Sequence, residues 1–304
     1  MNNTTKMMRG IMLVGLILVF VTGMAFAGGA GEAAADDLGV VRIGYVEWDR
    51  EPAHTFLIGE VMERIGFQVE VLSLANPAMW EAIAVGDIDA HVSAWLPATH
   101  EAFWEQHSEV LVDLGPHFTG AGLGLVVPTY LEDINSIEDL AANADMFDNT
   151  ITGIDPGAGM MSQTEGAIDD DVAGLGVFTL TEGSDASMMG ALSDAISREE
   201  PIVVTGWDPH IKFARFDLKI LEDTNNIFGD EETINTIVRQ GLQEENEMAF
   251  RFFDETDWFA LHEPINEIMV LSADGTRPEA AAAQVVDEYF DAINAALPSG
   301  IQMQ

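Results

Sequence analysis

The sequence predicts an α/β protein of two lobes with a ligand cleft between them. Three observations predict it: strand and helix patterns alternate over residues 40–95, they alternate again over 151–205, and two segments are placed to carry the chain between those blocks. Residues 40–46 are mostly apolar and include β-branched side chains, the pattern of a buried strand. Leu57, Ile58, Val61, Met62 and Ile65 recur at helical spacing, and Gly66 ends that helix. Residues 69–74 read as a strand, 79–85 as a helix and 90–95 as a strand, which gives a first α/β lobe with a largely parallel sheet. Residues 122–127, ending at Pro128, read as a short strand suited to a crossing. Ser136, followed by Ile137, Glu138 and Asp139, reads as a helix cap with acids in the first turn. The second block runs strand 151–155, helix 159–167, strand 177–181, helix 186–196 and strand 202–205. Residues 233–238 return the chain, and from about Glu244 onward it is mostly helical.

The first residues have the order of an export signal. Lys6 and Arg9 form a basic region, residues 11–21 are apolar, and Ala25-Phe26-Ala27 is a small-x-small cleavage pattern before a polar, glycine-rich stretch. The expectation is a signal peptide over 1–27 and a disordered leader over 28–38. The apolar run is shorter than the ~20 residues a spanning helix needs, which argues against a membrane anchor. The chain contains no cysteine. It therefore offers no lipidation site and no disulfide, and the expectation is a free periplasmic protein stabilised by its core.

The 304 residues include 52 acids against 12 bases, a net charge of -40. Removing Lys6 and Arg9 with the leader leaves 10 bases against 52 acids, a net of -42, with Lys212 and Lys219 as the remaining lysines. Such a charge repels nucleic acid and anionic lipid, so neither is expected as a partner. It fits a protein adapted to high external salt, where self-repulsion is screened.

Three of the six tryptophans end predicted strands: Trp48 in GYVEWD, Trp95 in SAWLP and Trp207 in TGWDPH. In open α/β sheets, ligands bind beyond the carboxyl ends of strands. A tryptophan face attracts a cation, and a methylated ammonium, which donates no hydrogen bond, suits an aromatic box. Any one of these tryptophans alone would read as core; three in this context point to one cleft. Trp80, among Met79, Ile83 and Val85, reads as core. The Asp155-Pro156-Gly157-Ala158-Gly159-Met160 segment joins a strand to a helix, and the first helical amides there can hold a carboxylate or phosphate. A plain turn with no ligand fits that segment equally well. His100, five residues after Trp95, and His210, after Trp207, are candidate donors to an anion. His54, His91, His107, His117 and His262 show no metal spacing, and no hydrolase or P-loop motif is present.

The blocks GYVEWD, AMWEAIAVGDIDAHVSAWLPATH, GLGLVVP, SIEDL, ITGIDPGAGMM, PIVVTGWDPH and TIVRQGL resemble those of glycine betaine-binding proteins of ABC importers, from about Val41 to the C-terminus. The resemblance implies a type II, flytrap-like periplasmic binding protein. It implies a box of Trp48, Trp95 and Trp207 around the trimethylammonium group, with the carboxylate held by the backbone amides of Gly159 and Met160 and by His100. The lobes are read as 39–128 plus 235–304, and 129–234. The implied partners are a betaine and an inner-membrane permease. The chain is expected to be a monomer that serves osmoprotectant uptake, with no cofactor, no metal and no enzymatic role. The alternatives are a binding protein for choline, carnitine or proline betaine, and a secreted hydrolase, against which the lack of a nucleophile-base motif argues. The charge makes its own prediction: the melting temperature should rise markedly from low to molar salt, and a flat profile in a thermal scan would remove the salt-adapted reading.

Overall fold

The computed structural model describes residues 38–304; the expected signal peptide and nearly all of the expected leader lie outside the described residues. The first block is β1 (Val40–Tyr45), α1 (Glu51–Ile65), β2 (Gln68–Ser73), α2 (Asn76–Val85), β3 (Ala90–Leu96) and α3 (Glu101–His107). A long strand, β4 (Leu111–Pro128), leads to α4 (Ile137–Ala142), β5 (Thr150–Thr152), α5 (Gly159–Asp169), β6 (Thr179–Thr181), α6 (Asp185–Ser197), β7 (Val204–Asp208), α7 (Lys212–Arg215) and β8 (Leu218–Ile220). The chain returns along β9 (Glu232–Arg239) and ends in α8 (Leu242–Glu245), α9 (Glu247–Glu255), α10 (His262–Ala273), α11 (Pro278–Glu288) and α12 (Phe290–Ala296).

Local chemistry sets the boundaries. Helix α1 carries a proline in its first turn, where a missing N–H costs nothing, and stops at Gly66, whose φ of 121° a residue with a side chain resists. Ser136 caps α4 by accepting from Asp139 N–H while the Asp139 carboxylate accepts from Ser136 N–H. All seven residues of β3 are buried, as a strand covered on both faces requires.

The strands form one continuous, bent sheet in the order β2-β1-β3-β9-β4-β7-β5-β6, with β8 beside β4. The β1/β2, β1/β3, β5/β6 and β5/β7 pairs are parallel; β9 is antiparallel to β3 and β4, and β4 to β7. Strand β4 belongs to both halves. Leu111 to Ala121 pair with β9, and Gly122 to Val126 pair with β7. Three register shifts interrupt the β9 side, the last between Thr119 and Ala121, at Gly120 with φ 77°. A bulge bends its strand and increases twist, which turns the second half of the sheet away from the first. The lobe boundary read after residue 128 lies at the end of this strand, while the ladder changes partner at Ala121/Gly122.

Separate cores fill the two halves. In the first, Leu57, Ile58, Phe252, Phe253, Ile265 and Val285 pack on one face of the sheet, and Met79, Trp80, Ile83 and Ile237 on the other. In the second, Leu125, Phe147, Ile151, Leu175, Val203 and Phe228 pack together. Burying Phe252 and Phe253, both at most 1% exposed, contributes about 1.5–3 kcal/mol each. No helix among the described residues is long and apolar enough to cross a membrane.

Candidate functional site

A cavity, partly open to solvent, lies where the halves of the sheet meet. Trp48, Trp95, His100, Gly159, Met160 and Trp207 all line it. The three tryptophans also share one buried apolar cluster with Val46, Ile154, Met160 and Met188.

Each tryptophan is held by a different device. Trp48 follows β1, where Val46 N–H donates to the buried Glu51 carboxyl at 2.9 Å and Trp48 Nε1–H donates to Asp155 Oδ2 at 3.0 Å. Burial pushes the Glu51 carboxyl well above the usual carboxylate range. Trp95 sits on β3, with its backbone N–H donating to His100 Nδ1 at 3.1 Å. Trp207 sits on β7, with Lys212 Nζ 4.5 Å from its ring centroid. Lys212 is fully buried, and burial lowers its pKa to about 8.

The Trp95 hydrogen bond fixes the chemistry of His100. Because Nδ1 accepts, a neutral ring carries its proton on Nε2. Burial, with a smaller contribution from His91, lowers the His100 pKa to about 3, so the ring is neutral at ordinary pH. Nε2 is buried without a partner among the described residues. A donor therefore lies in the cavity wall with nothing to receive it.

The turn carrying His100 is braced from β9. Glu232, 1% exposed, accepts from Ala98 N–H at 3.3 Å, from Thr99 N–H at 3.1 Å and from the Thr99 hydroxyl. Across the cleft, α5 begins against this turn. A side chain at Gly159 would collide with the Thr99 carbonyl oxygen, so glycine is required for the two backbones to approach. The hydrogen bonds of this segment run from Ala158 N–H to Asp155 O and from Met161 N–H to Ala158 O. Gly159 and Met160 lie between them, where helix amides lack intrahelical partners.

Several contacts join the halves. Asn76 Nδ2–H donates to Gly157 O at 3.0 Å, and Asp49 N–H donates to Asp185 Oδ2 at 2.9 Å. His210, the second candidate donor, is placed outside the cavity wall. Its Nδ1 accepts from Lys212 N–H at 3.0 Å, and its Nε2–H donates to Asp185 Oδ1 at 3.0 Å. Burial works to raise the Asp185 pKa, but the His210 hydrogen bond and the Lys212 ammonium outweigh it and lower it. The sequence reading did not single out Arg50, Glu51, Ser93 and Thr99 and dismissed His54 and His117; all six line the cavity. The nearness of Arg50 and His54 to Trp48 was the available signal. Among the described residues no group of three or more His, Asp or Glu side chains could hold a metal ion.

Residues 39–288 match the model of the substrate binding domain of ABC-type glycine betaine transport systems. The chain belongs to this family. A glycine betaine/carnitine transport binding protein of Listeria monocytogenes is 39% identical over 176 residues, 58% of this chain and 56% of that relative, so the match spans little more than half of the relative's length. The lactococcal family member in its closed conformation with glycine betaine aligns with a TM-score of 0.79 and 36% identity, covering 86% of this chain and 100% of that one. A choline binding protein in complex with choline aligns with a TM-score of 0.79 and 26% identity, covering 87% and 93% of the two chains. These family members are substrate-binding proteins of transport systems and share the two-lobed type II fold with a ligand cleft.

The brace at Glu232 generates a prediction. Glu232→Ala leaves the Ala98 and Thr99 donors without an acceptor, so stability in urea should fall by about 1–3 kcal/mol. Glu232→Gln, which keeps an acceptor oxygen, should fall by less. Equal stability of the Ala variant and the unaltered protein would show that the turn holds itself.

Proposed function

We propose that this protein binds glycine betaine or a closely related betaine in the cavity between its lobes and delivers it to the permease of an ABC importer. The observation that carries the reading is the pairing of two chemistries in one cavity: three tryptophan rings, and a neutral His100 donor opposite the first amides of α5. Trp48, Trp95 and Trp207 form the box for the trimethylammonium group, where a cation over a desolvated ring gains about 2 kcal/mol or more. The carboxylate takes the Nε2–H of His100 and the backbone amides of Gly159 and Met160. His100 and Gly159 lie on opposite sides of the cleft, so one carboxylate bridges them and favours the closed form. The permease then recognises that closed form, by population shift. The protein acts as an exported monomer in the periplasm, catalyses no reaction and needs no cofactor.

The strongest test separates the two ends of the ligand. Choline carries the same methylated ammonium but no carboxylate, and a donor left unpaired costs about 1–3 kcal/mol. Titration calorimetry should show choline binding roughly ten-fold more weakly than glycine betaine, or worse. Trp207→Ala should weaken both ligands by about 1–2 kcal/mol, whereas His100→Ala should weaken betaine and narrow the gap. Equal affinity for choline and betaine in the unaltered protein would overturn the carboxylate assignment.

A further inference from the structure

The cavity has a third group of polar side chains that neither end of a betaine uses. Arg50 precedes α1 with a left-handed φ of 75° and is only 5% exposed. Its guanidinium carbon lies 4.8 Å from the Phe118 ring centroid, and Nη1–H reaches Asn266 Oδ1 at a long 3.4 Å. Nε and Nη2 are buried without partners among the described residues. The charges of Asp49 and Asp208 act on this cation, but two of its donors in the ligand cavity wall stay without a hydrogen-bond partner.

His117 is fixed from two sides. Its Nε2–H donates to Val92 O at 2.7 Å, and its own carbonyl accepts from His262 Nε2–H at 2.8 Å. A carbonyl can only accept, so the ring proton is on Nε2 and Nδ1 is a bare acceptor. Burial, with the nearby Arg50 charge, lowers the His117 pKa to about 3 and keeps the ring neutral. Nδ1 is buried and unpartnered among the described residues. His54 packs beside it, ring centroids 4.4 Å apart, and neither of its nitrogens has a partner there. Arg50, His54 and His117 all line the one cavity.

The wall therefore presents free donors on Arg50 and a free acceptor on His117. A carboxylate would satisfy the donors alone, and an ammonium the acceptor alone. A hydroxyl satisfies both, accepting from Arg50 and donating to His117 Nδ1. We propose that Arg50 and His117, with His54 beside them, form a hydroxyl-reading subsite that favours hydroxylated quaternary-ammonium zwitterions over their deoxy counterparts. The assignment rests on the cavity being the betaine site. With a ligand that lacks the hydroxyl, either water fills the subsite or its polar atoms stay unpaired at a cost.

The test uses two zwitterions that differ by one hydroxyl, L-carnitine and γ-butyrobetaine, titrated by calorimetry into the unaltered protein with glycine betaine as reference. Carnitine should bind more tightly than γ-butyrobetaine by on the order of ten-fold. His117→Leu and Arg50→Met should each bring that ratio towards one, and the comparison on the unaltered protein needs neither variant to fold. Equal affinities, or binding of neither ligand, would overturn the subsite. If Arg50→Met weakens both equally with the ratio kept, Arg50 reads the carboxylate and the hydroxyl assignment is wrong. If glycine betaine itself fails to bind, it is the betaine reading that falls.

Discussion

The close approach of α5 to the Thr99 carbonyl is the constraint on which the site depends. Only a residue without Cβ fits there, and Gly159 supplies it. That approach places a helix N-terminus against the turn that holds His100. It also brings Asp155 within reach of Trp48, and Gly157 within reach of Asn76. A bulkier residue at 159 would push the halves apart, separating Trp207 from Trp48 and Trp95 without touching any ring. The glycine thus acts through the distance between two backbones.

Burial of polar groups around the cavity follows a consistent logic. Buried polar atoms are normally paired, because an unpaired one loses its hydration for nothing. Glu232 follows the rule by satisfying the Thr99 turn, and Asp89 by accepting from Arg239 and from Arg42 N–H. Exceptions occur at several places, Thr55, Trp80 and Ser272 among them, and one group of them shares a space: His100 Nε2, His117 Nδ1, both nitrogens of His54 and two of Arg50 are on residues that line the cavity. Their cost is borne by a core that closes elsewhere. A small polar guest is the natural recipient of those free valences, since a purely apolar one would leave each of them unpaired.

The strand-helix alternation was legible because each segment carries its own period. Residues 40–46, 90–95 and the 57–65 stripe all fold close to where their patterns place them. The long β4 was not, because its first part contains Gly115, Pro116 and Gly120, which break the local strand signal; pairing with β9 holds it extended regardless. The strand expected from Val177 begins at Thr179, since Ala173 and Gly174 take left-handed conformations in a turn that runs to Val177. The tryptophans and the Asp155-to-Met160 segment were legible through the rule that sites gather at the ends of strands. The Arg50, His54 and His117 group was not. His54 and His117 lie far apart in sequence, and their contact exists only because α1 and β4 pack in the same half of the molecule.

Charge adds a last constraint, on how the cleft closes. The chain carries few cations, and two of them, Arg50 and Lys212, are buried beside the aromatic rings of Phe118 and Trp207. Burial would expel a bare ammonium, yet Asp185 and Asp49 face Lys212 closely enough to raise its pKa against that penalty. Asp49 belongs to the Trp48 side of the cleft and Asp185 to the Trp207 side, and Asp49 N–H donates across to Asp185. Asp49 thereby shares the Lys212 ammonium that also lowers the Asp185 pKa. Two carboxylates that would repel each other alone are held together by a buried cation and by backbone donors, Ile211 N–H to Asp49 and Asp49 N–H to Asp185, and a site surrounded by acids can shut on a ligand whose own net charge is zero.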